Sequence, residues 1–185
     1  MSGGGFSRGP ARVVCSGRFD VVEYEVTAAG TGPAARVTRQ VVQHPGAVTV
    51  AALEGDEITL LRQYRAAVDA VVTELPAGKL DAGEAPLDTA MRELEEETGK
   101  AAEVYTLVAD YLVSPGWSDE RMWLYLAEGI RSGSANPQGA EELQMEVVSV
   151  SLADAVEMVR AGTIRDAKSI VGVLLTRDFV ESRCP

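Results

Sequence analysis

Apolar and polar residues alternate along much of the first half of the chain, the period-two pattern of half-buried strands. It predicts extended backbone over residues 11–27, clearest in VVEYEV at Val21–Val26, and again in RVTRQVVQ at Arg36–Gln43. The Gly/Pro-containing stretch Ala28–Ala34 between them reads as a turn region, as does His44-Pro45-Gly46. Ala47–Leu53 and Ile58–Arg65 read as a hairpin joined by Glu54-Gly55-Asp56, and Val71–Leu75 as a short strand that stops at Pro76-Ala77-Gly78. The period then changes. From Pro86 to Thr98, the residues Leu87, Ala90, Met91 and Leu94 recur at i, i+3, i+4 and i+7, which marks one apolar helix face. Pro86 suits the first turn and Gly99 the position just past the end. Ala102–Leu112, Arg121–Ala127 and Met145–Val150 read as strands, Ser114–Glu120 and Gly129–Glu142 as loops, and Leu152–Arg160 and Asp166–Thr176 as helices. The order is strands, one helix, strands, two helices, with no internal repeat, and it predicts an α+β fold rather than a regular βαβ alternation.

Composition sets bounds on this picture. At 185 residues the chain makes one domain, or one domain with a small appendage. Hydrophobic residues are 46% and charged residues 24%, and no apolar run approaches the ~20 residues of a membrane span. Residues 1–10, MSGGGFSRGP, read as a disordered lead-in and lack the apolar stretch of a secretory signal. Cys15 and Cys184 lie near opposite ends, which argues against a disulfide framework and for a cytoplasmic setting. The formal net charge of -11 would repel a polyanion, so neither nucleic acid nor a membrane is expected as a partner.

Charge becomes informative where it breaks local rules. Glu93, Glu96 and Glu97 stand at i, i+3 and i+4, so their carboxylates share one side of the helix. Like charges at that spacing repel by roughly 0.2–0.5 kcal/mol per pair. They also crowd the last turns, where the helix dipole opposes anions by roughly 0.3–1 kcal/mol each. Such conflicts are expected at functional sites, and a divalent cation would reverse the sign of both terms. Glu95 points away from the other three and reads as a solvated residue. Magnesium takes oxygen ligands and shares phosphate oxygens, so carboxylates on adjacent turns after a polar loop suit an ion held against a diphosphate.

Residues 78–100, GKLDAGEAPLDTAMRELEEETGK, resemble the Nudix box: G, five residues, E, seven residues, RE, an aliphatic, any, EE, any, G, an aliphatic. Gly78, Glu84, Arg92, Glu93, Leu94, Glu96, Glu97 and Gly99 fit, and Lys100 departs from the final aliphatic, a packing position. The resemblance implies the α/β/α sandwich of the Nudix family and hydrolysis of a nucleoside diphosphate linked to another moiety. By position it implies Glu93, Glu96 and Glu97 as metal ligands, with the backbone carbonyl near Ala77 beside them. It makes Arg92 and Glu84 the pair that orients the glutamates, after the opening Gly78. Two or three Mg²⁺ ions are implied, with Mn²⁺ the other candidate.

LRQYR at Leu61–Arg65, ELPAG at Glu74–Gly78, Pro115 sixteen residues past Gly99, and IRDAKS at Ile164–Ser169 resemble the ADP-ribose pyrophosphatase subfamily. That similarity spans most of residues 36–177 and implies ADP-ribose as substrate, cleaved to AMP and ribose 5-phosphate. The alternatives are another nucleotide sugar such as GDP-mannose, or a non-catalytic nucleotide-binding sensor, a reading weakened because no box glutamate is missing. Arg65 is the candidate diphosphate contact, because a guanidinium can hold two phosphate oxygens. Arg39, Pro115 and Glu120 are further substrate-side candidates, and Trp117 is placed either to stack on a base or to pack. Subfamily members carry a catalytic glutamate in a loop before the strand that matches Met145–Val150, so Glu142, with Glu141 as rival, is the candidate base. The resemblance further implies that residues 11–44 form a small antiparallel sheet that crosses to a second subunit of a homodimer, with residues 45–185 as the hydrolase domain.

The one histidine, His44, reads as turn-stabilising. With it alone and two terminal cysteines, zinc hydrolysis lacks ligands. There is no G-x-S-x-G elbow, and MSGGGF lacks the G-K-[ST] of a phosphate loop.

Overall fold

The computed structural model describes residues 5–29, 36–133 and 144–183. The chain forms two compact units: one within Met1–Pro45 joined by Leu112–Arg121, the other from Gly46–Tyr111 and Met122–Pro185.

The first unit is built on a four-stranded antiparallel sheet of β1 (Phe6–Arg8), β2 (Arg12–Cys15), β3 (Asp20–Ala28) and β4 (Arg36–Gln43). β4 pairs with β3 along its length, from Asp20↔Gln43 to Thr27↔Arg36. β1 and β2 therefore share the other edge of β3 end to end, β1 at Val26–Ala28 and β2 at Val21–Glu23. Two expectations change here. The lead-in is partly ordered, because Phe6–Arg8 gains ladder bonds to β3 and Arg8 lies over the Tyr24 ring, 4.1 Å from its centroid. The stretch predicted as one strand over 11–27 is broken between Cys15 and Asp20, where the Ser16 hydroxyl donates to Asp20 at the turn.

The second unit contains a seven-stranded mixed sheet. β5 (Ala47–Glu54) and β6 (Glu57–Arg65) form the predicted hairpin, but they pair only at its closed end, Leu53↔Ile58 and Glu54↔Glu57. Beyond that they part, and the segment β7 (Ala70–Glu74) and β8 (Ala77–Lys79) fills the fork, β7 on β6 and β8 on β5. Leu75-Pro76 bridges the two, with the Val50 N–H bonded to Pro76 O at 2.8 Å. β10 (Val104–Leu112), β11 (Arg121–Glu128) and β13 (Glu146–Ser151) complete the sheet, in the order β10-β11-β5-β6-β13, with β11 parallel to β5. β9 (Lys100–Ala101) and β12 (Arg131–Ser132) form a separate pair.

Helices cover both faces. Because side chains alternate along a strand, Val48, Val50 and Ala52 of β5 and Tyr125 and Ala127 of β11 pack with Ala90 and Leu94 of α1 (Pro86–Thr98). Ala51, Leu53, Leu124 and Leu126 face the other way, onto Ala155 and Val156 of α2 (Leu152–Arg160) and Val173 of α3 (Ala167–Arg183). Burial on both sides explains why Ala47–Leu53 is buried without interruption. The result is an α/β/α sandwich. α3 runs on past the predicted Thr176, because Phe179 and Val180 still reach the core below it. Among the described residues no helix is long and apolar enough to cross a membrane.

Candidate active site

The helix α1 forms as predicted from Pro86 to Thr98, with Gly99 in the left-handed region at φ 65 and its N–H returned to Glu95 O. Its buried side is not the predicted stripe. Ala90 and Leu94 are fully buried, but Leu87 and Met91 are 40% and 47% exposed, and Thr89 is buried instead. At about 100° per residue the inward arc runs through Ala90, Glu93, Leu94 and Glu97 rather than through Leu87 and Met91. The turn of the helix carries two of the acidic side chains against the fork strand β8.

Arg92 organises the acids. Its Nε and Nη2 donate to the two carboxylate oxygens of Glu84 at 3.0 and 2.9 Å. Its Nη1 donates to Glu93 at 2.8 Å and Glu96 at 3.0 Å, and Nη2 also to Lys79 O at 3.2 Å. Glu84 receives further bonds from the Thr89 hydroxyl and the Asp81 N–H. These donors, the Arg92 guanidinium first, hold the Glu84 carboxyl well below the usual range, at about 2. The Arg92 guanidinium is correspondingly held protonated, chiefly by Glu84.

Glu97 accepts the Ala77 N–H at 2.9 Å. Glu93 lies against Gly78 so closely that a Cβ there would sit inside its carboxylate, so the box glycine is required by contact, not by its backbone angle. α1 has no basic residue in its last turn, so the dipole conflict read from the sequence stands. As they lie, the carboxylates do not close on one point; among the described residues no three acidic, histidine or cysteine side chains form a ready cage. Arg92 occupies the space between Glu93 and Glu96, and Glu97 is turned onto Ala77. The donor set is nonetheless all hard oxygen, two of its members share one guanidinium nitrogen, and the side chains are only partly exposed, at 14% for Glu93 and 21% for Glu96. Such a set fits Mg²⁺ or Mn²⁺ with waters and phosphate oxygens completing the shell.

A second network adjoins this one. Arg65 makes a two-pronged pair with Glu74 at 2.7 and 2.9 Å, leaving Nη1 outside the pairing. Glu74 is 3% exposed and also bonds Lys168, whose ammonium lies 2.9 Å from Asp166. Burial raises the Glu74 carboxyl, and bonds from Arg65 with the charge of Lys168 more than reverse this, so its pKa is lowered. Glu74 in turn raises the Arg65 pKa, with smaller contributions from Glu97 and Asp166, so Arg65 lies within the field of both the box and the α3 start. Asp166 takes the Ser169 N–H at 3.0 Å, a helix cap, and the buried Ser169 hydroxyl donates to Asp166 and accepts the Leu75 N–H at 2.7 Å. ELPAG and IRDAKS are thus two halves of one bonded unit. Sequence reasoning gave Glu74, Asp166 and Lys168 no role; the signal was present as charged residues flanking the buried Leu75 and Ile164.

Lys100 is not a packing residue. Its ammonium crosses to the Thr59 hydroxyl at 2.9 Å and to Ser149 at 3.5 Å.

The remaining candidates lie in the first unit. Arg39 stands on β4, paired in register with Tyr24, and donates to Thr38 O. Ser114–Glu120 folds onto the end of β4, with Val42 N–H bonded to Trp117 O at 2.9 Å. There Pro115 and Trp117 are exposed and Glu120 is half-buried. His44 stacks on Phe19, bonds Asp119 through its backbone N–H at 2.8 Å, and has Nε2 3.8 Å from Glu120. Glu141 and Glu142 lie outside the described residues.

Comparison with known proteins bears on the family and the fold. A family model for the NUDIX domain matches residues 43–170. The chain is 38% identical over 136 residues to the ADP-ribose pyrophosphatase of Bacillus subtilis (strain 168), covering 73% of this chain and 74% of that protein. It is also 38% identical over 137 residues to the methanol dehydrogenase activator of Bacillus methanolicus, covering 73% and 74%. A crystal structure of an ADP compounds hydrolase shares the fold, with a TM-score of 0.84 at 19% identity over 97% of this chain and 96% of that one.

Proposed function

This chain belongs to the NUDIX family and is a hydrolase of it, and we propose that it cleaves the diphosphate bond of ADP-ribose or a closely related nucleoside diphosphate sugar. The observation that carries the reading is the Arg92 hub, which gathers Glu84, Glu93 and Glu96 beside Glu97 in half-buried positions. No structural role requires Glu93, Glu96 and Glu97 at the end of a helix lacking a cation in its last turn. The B. subtilis relative named ADP-ribose pyrophosphatase supports the choice of sugar nucleotide.

Glu93, Glu96 and Glu97 would hold two or three Mg²⁺ ions, Mn²⁺ serving as substitute. Bound there, the ions neutralise phosphate charge and lower the pKa of a coordinated water. The chain's own part is positional. Arg92 fixes the rotamers of Glu84, Glu93 and Glu96 by charge-assisted bonds. The Ala77 N–H sets Glu97. Arg65 offers its free Nη1 to the diphosphate. Glu142, with Glu141 as rival, orients the attacking water and takes its proton. In-line attack at one phosphorus expels the other phosphate, and ADP-ribose plus water gives AMP and ribose 5-phosphate. Arg39, Pro115 and Glu120 are the further substrate-side residues, and residues 11–44 bring in a second copy of the chain. The exposed free thiol of Cys15 suits a reducing, cytoplasmic setting.

The test is a turnover panel of ADP-ribose, other ADP-sugars and GDP-mannose in millimolar Mg²⁺, with products identified by mass. AMP and ribose 5-phosphate are the expected products. Binding without turnover of any conjugate would overturn the hydrolytic reading.

A further inference from the structure

Beside the box, the second unit holds a cavity of about 560 Å³ between the β6–β7 hairpin and the segment leading into α3. Its size lies within the ordinary range of small-ligand sites. Its lining is chemically mixed in a particular way. Val71 and Val72 give it an apolar wall, while Arg65, Thr163, Arg165 and Asp166 give it polar corners.

Two guanidiniums there have donors to spare. Arg65 commits Nε and Nη2 to Glu74 and leaves Nη1 over. Arg165 is exposed and no described side chain pairs with it, in a protein of net charge -11 where cations are scarce. Asp166 spends one carboxylate oxygen on the α3 cap and on Lys168, leaving the other as an acceptor. Donor and acceptor fixed side by side over an aliphatic wall match a sugar, whose vicinal hydroxyls both donate and accept and whose C–H face is apolar. The rigidity comes from the network behind them, since Asp166 is tied through Ser169 to Leu75, and Glu74 is locked between Arg65 and Lys168.

We propose that this cavity is the subsite for the phosphosugar half of the conjugate, with Arg165 and Asp166 holding the sugar hydroxyls and Arg65 the phosphate at its inner rim. The proposal rests on the hydrolase reading only for the order of the parts. Arg65 is the shared element, because it lines the cavity and lies within the field of Glu97. A conjugate gripped by Arg65 at its diphosphate would then run one half toward the box and the other into the cavity.

The experiment is calorimetric titration of the metal-free full chain with ribose 5-phosphate, AMP and inorganic phosphate, repeated on Arg165→Ala and Arg165→Lys. A hydrogen bond from a charged donor is worth roughly tenfold or more in affinity. Arg165→Ala should therefore weaken ribose 5-phosphate by about that factor. AMP and inorganic phosphate should stay within about twofold, and Arg165→Lys should recover part of the loss. Ribose 5-phosphate binding that ignores Arg165, or that falls together with phosphate, overturns the subsite. The two readings fail separately. Turnover of ADP-ribose without Arg165-dependent binding removes the subsite alone, and Arg165-dependent binding without turnover removes the hydrolase reading alone.

Discussion

At the scale of single residues, the site is a problem of repulsion solved by one guanidinium. Five donors in a rigid fork suit Arg92 to hold three carboxylates at once, which a lysine ammonium at the same position could not do with comparable geometry. Glu97 is not among the acids bonded by Arg92 in these contacts; it accepts the backbone N–H of Ala77. Glu97→Gln keeps the bond from Ala77 while removing the charge. Its kcat should fall by at least about a hundredfold with an unchanged circular dichroism spectrum; near-normal turnover would count against the assignment. Glu84 makes a different prediction. Its carboxyl, depressed from 4.5 to about 2 by Arg92, contributes stability that is present above pH 4.5 and lost as pH falls from there toward 2. Glu84→Gln removes that titration. The gap in urea midpoint between the parent and this variant should be widest at pH 6–7 and narrow on acidification to pH 3. A gap of constant size would show that Glu84 acts through shape, not charge.

At the scale of elements, α1 shows where sequence patterns stop. Its limits, its proline start and its glycine stop were legible because they are local chemistry, and the acidic cluster was legible because it violates local chemistry. The rotation of the helix about its axis was not. The apolar stripe Leu87-Ala90-Met91-Leu94 points one way, but the helix seats with Glu93 and Glu97 turned toward β8, and two of the four apolar residues are left in solvent. The contacts of Glu93 with Gly78 and of Glu97 with the Ala77 N–H go with that angle, and the apolar stripe does not. Met91→Lys should then change stability by under about 0.5 kcal/mol in chemical denaturation, whereas Leu94→Ala should cost roughly 2–5 kcal/mol. Equal costs would restore the predicted face. The fork between β5 and β6 was hidden for a related reason, since a hairpin signal reports the turn and says nothing of whether its arms stay together. Likewise the Glu74–Lys168 bond joins residues 94 positions apart, a distance over which no periodicity carries information, and Lys100 reads as a misplaced packing residue until Thr59 and Ser149 are seen at its tip.

At the scale of the whole molecule, the sheet of the first unit carries exposed apolar side chains on one face. Directly paired residues share a face, so the register puts Phe6, Val13, Val22, Tyr24, Val26 and Val37 on one side of it, together with Arg8 and Arg39. Val22 and Tyr24 are buried there, yet Phe6, Val13 and Val37 remain 64%, 55% and 40% exposed. Apolar side chains gathered on one sheet face favour coverage by about 25 cal/mol for each Å² removed from water, and clusters of this kind mark interaction surfaces. A second copy of the chain, as proposed above, is the occupant that keeps the arrangement symmetric. Light scattering of the full chain at micromolar concentration should give twice 19.6 kDa. Val13→Lys together with Val37→Lys places two like charges on that face and should shift the mass to the monomer without loss of secondary structure. If the dimeric contact also completes the substrate site through Arg39, the same variant should raise KM for ADP-ribose while leaving the urea midpoint of the second unit in place. A parent chain that scatters as a monomer would remove the dimer and, with it, the reason for an apolar face on these strands.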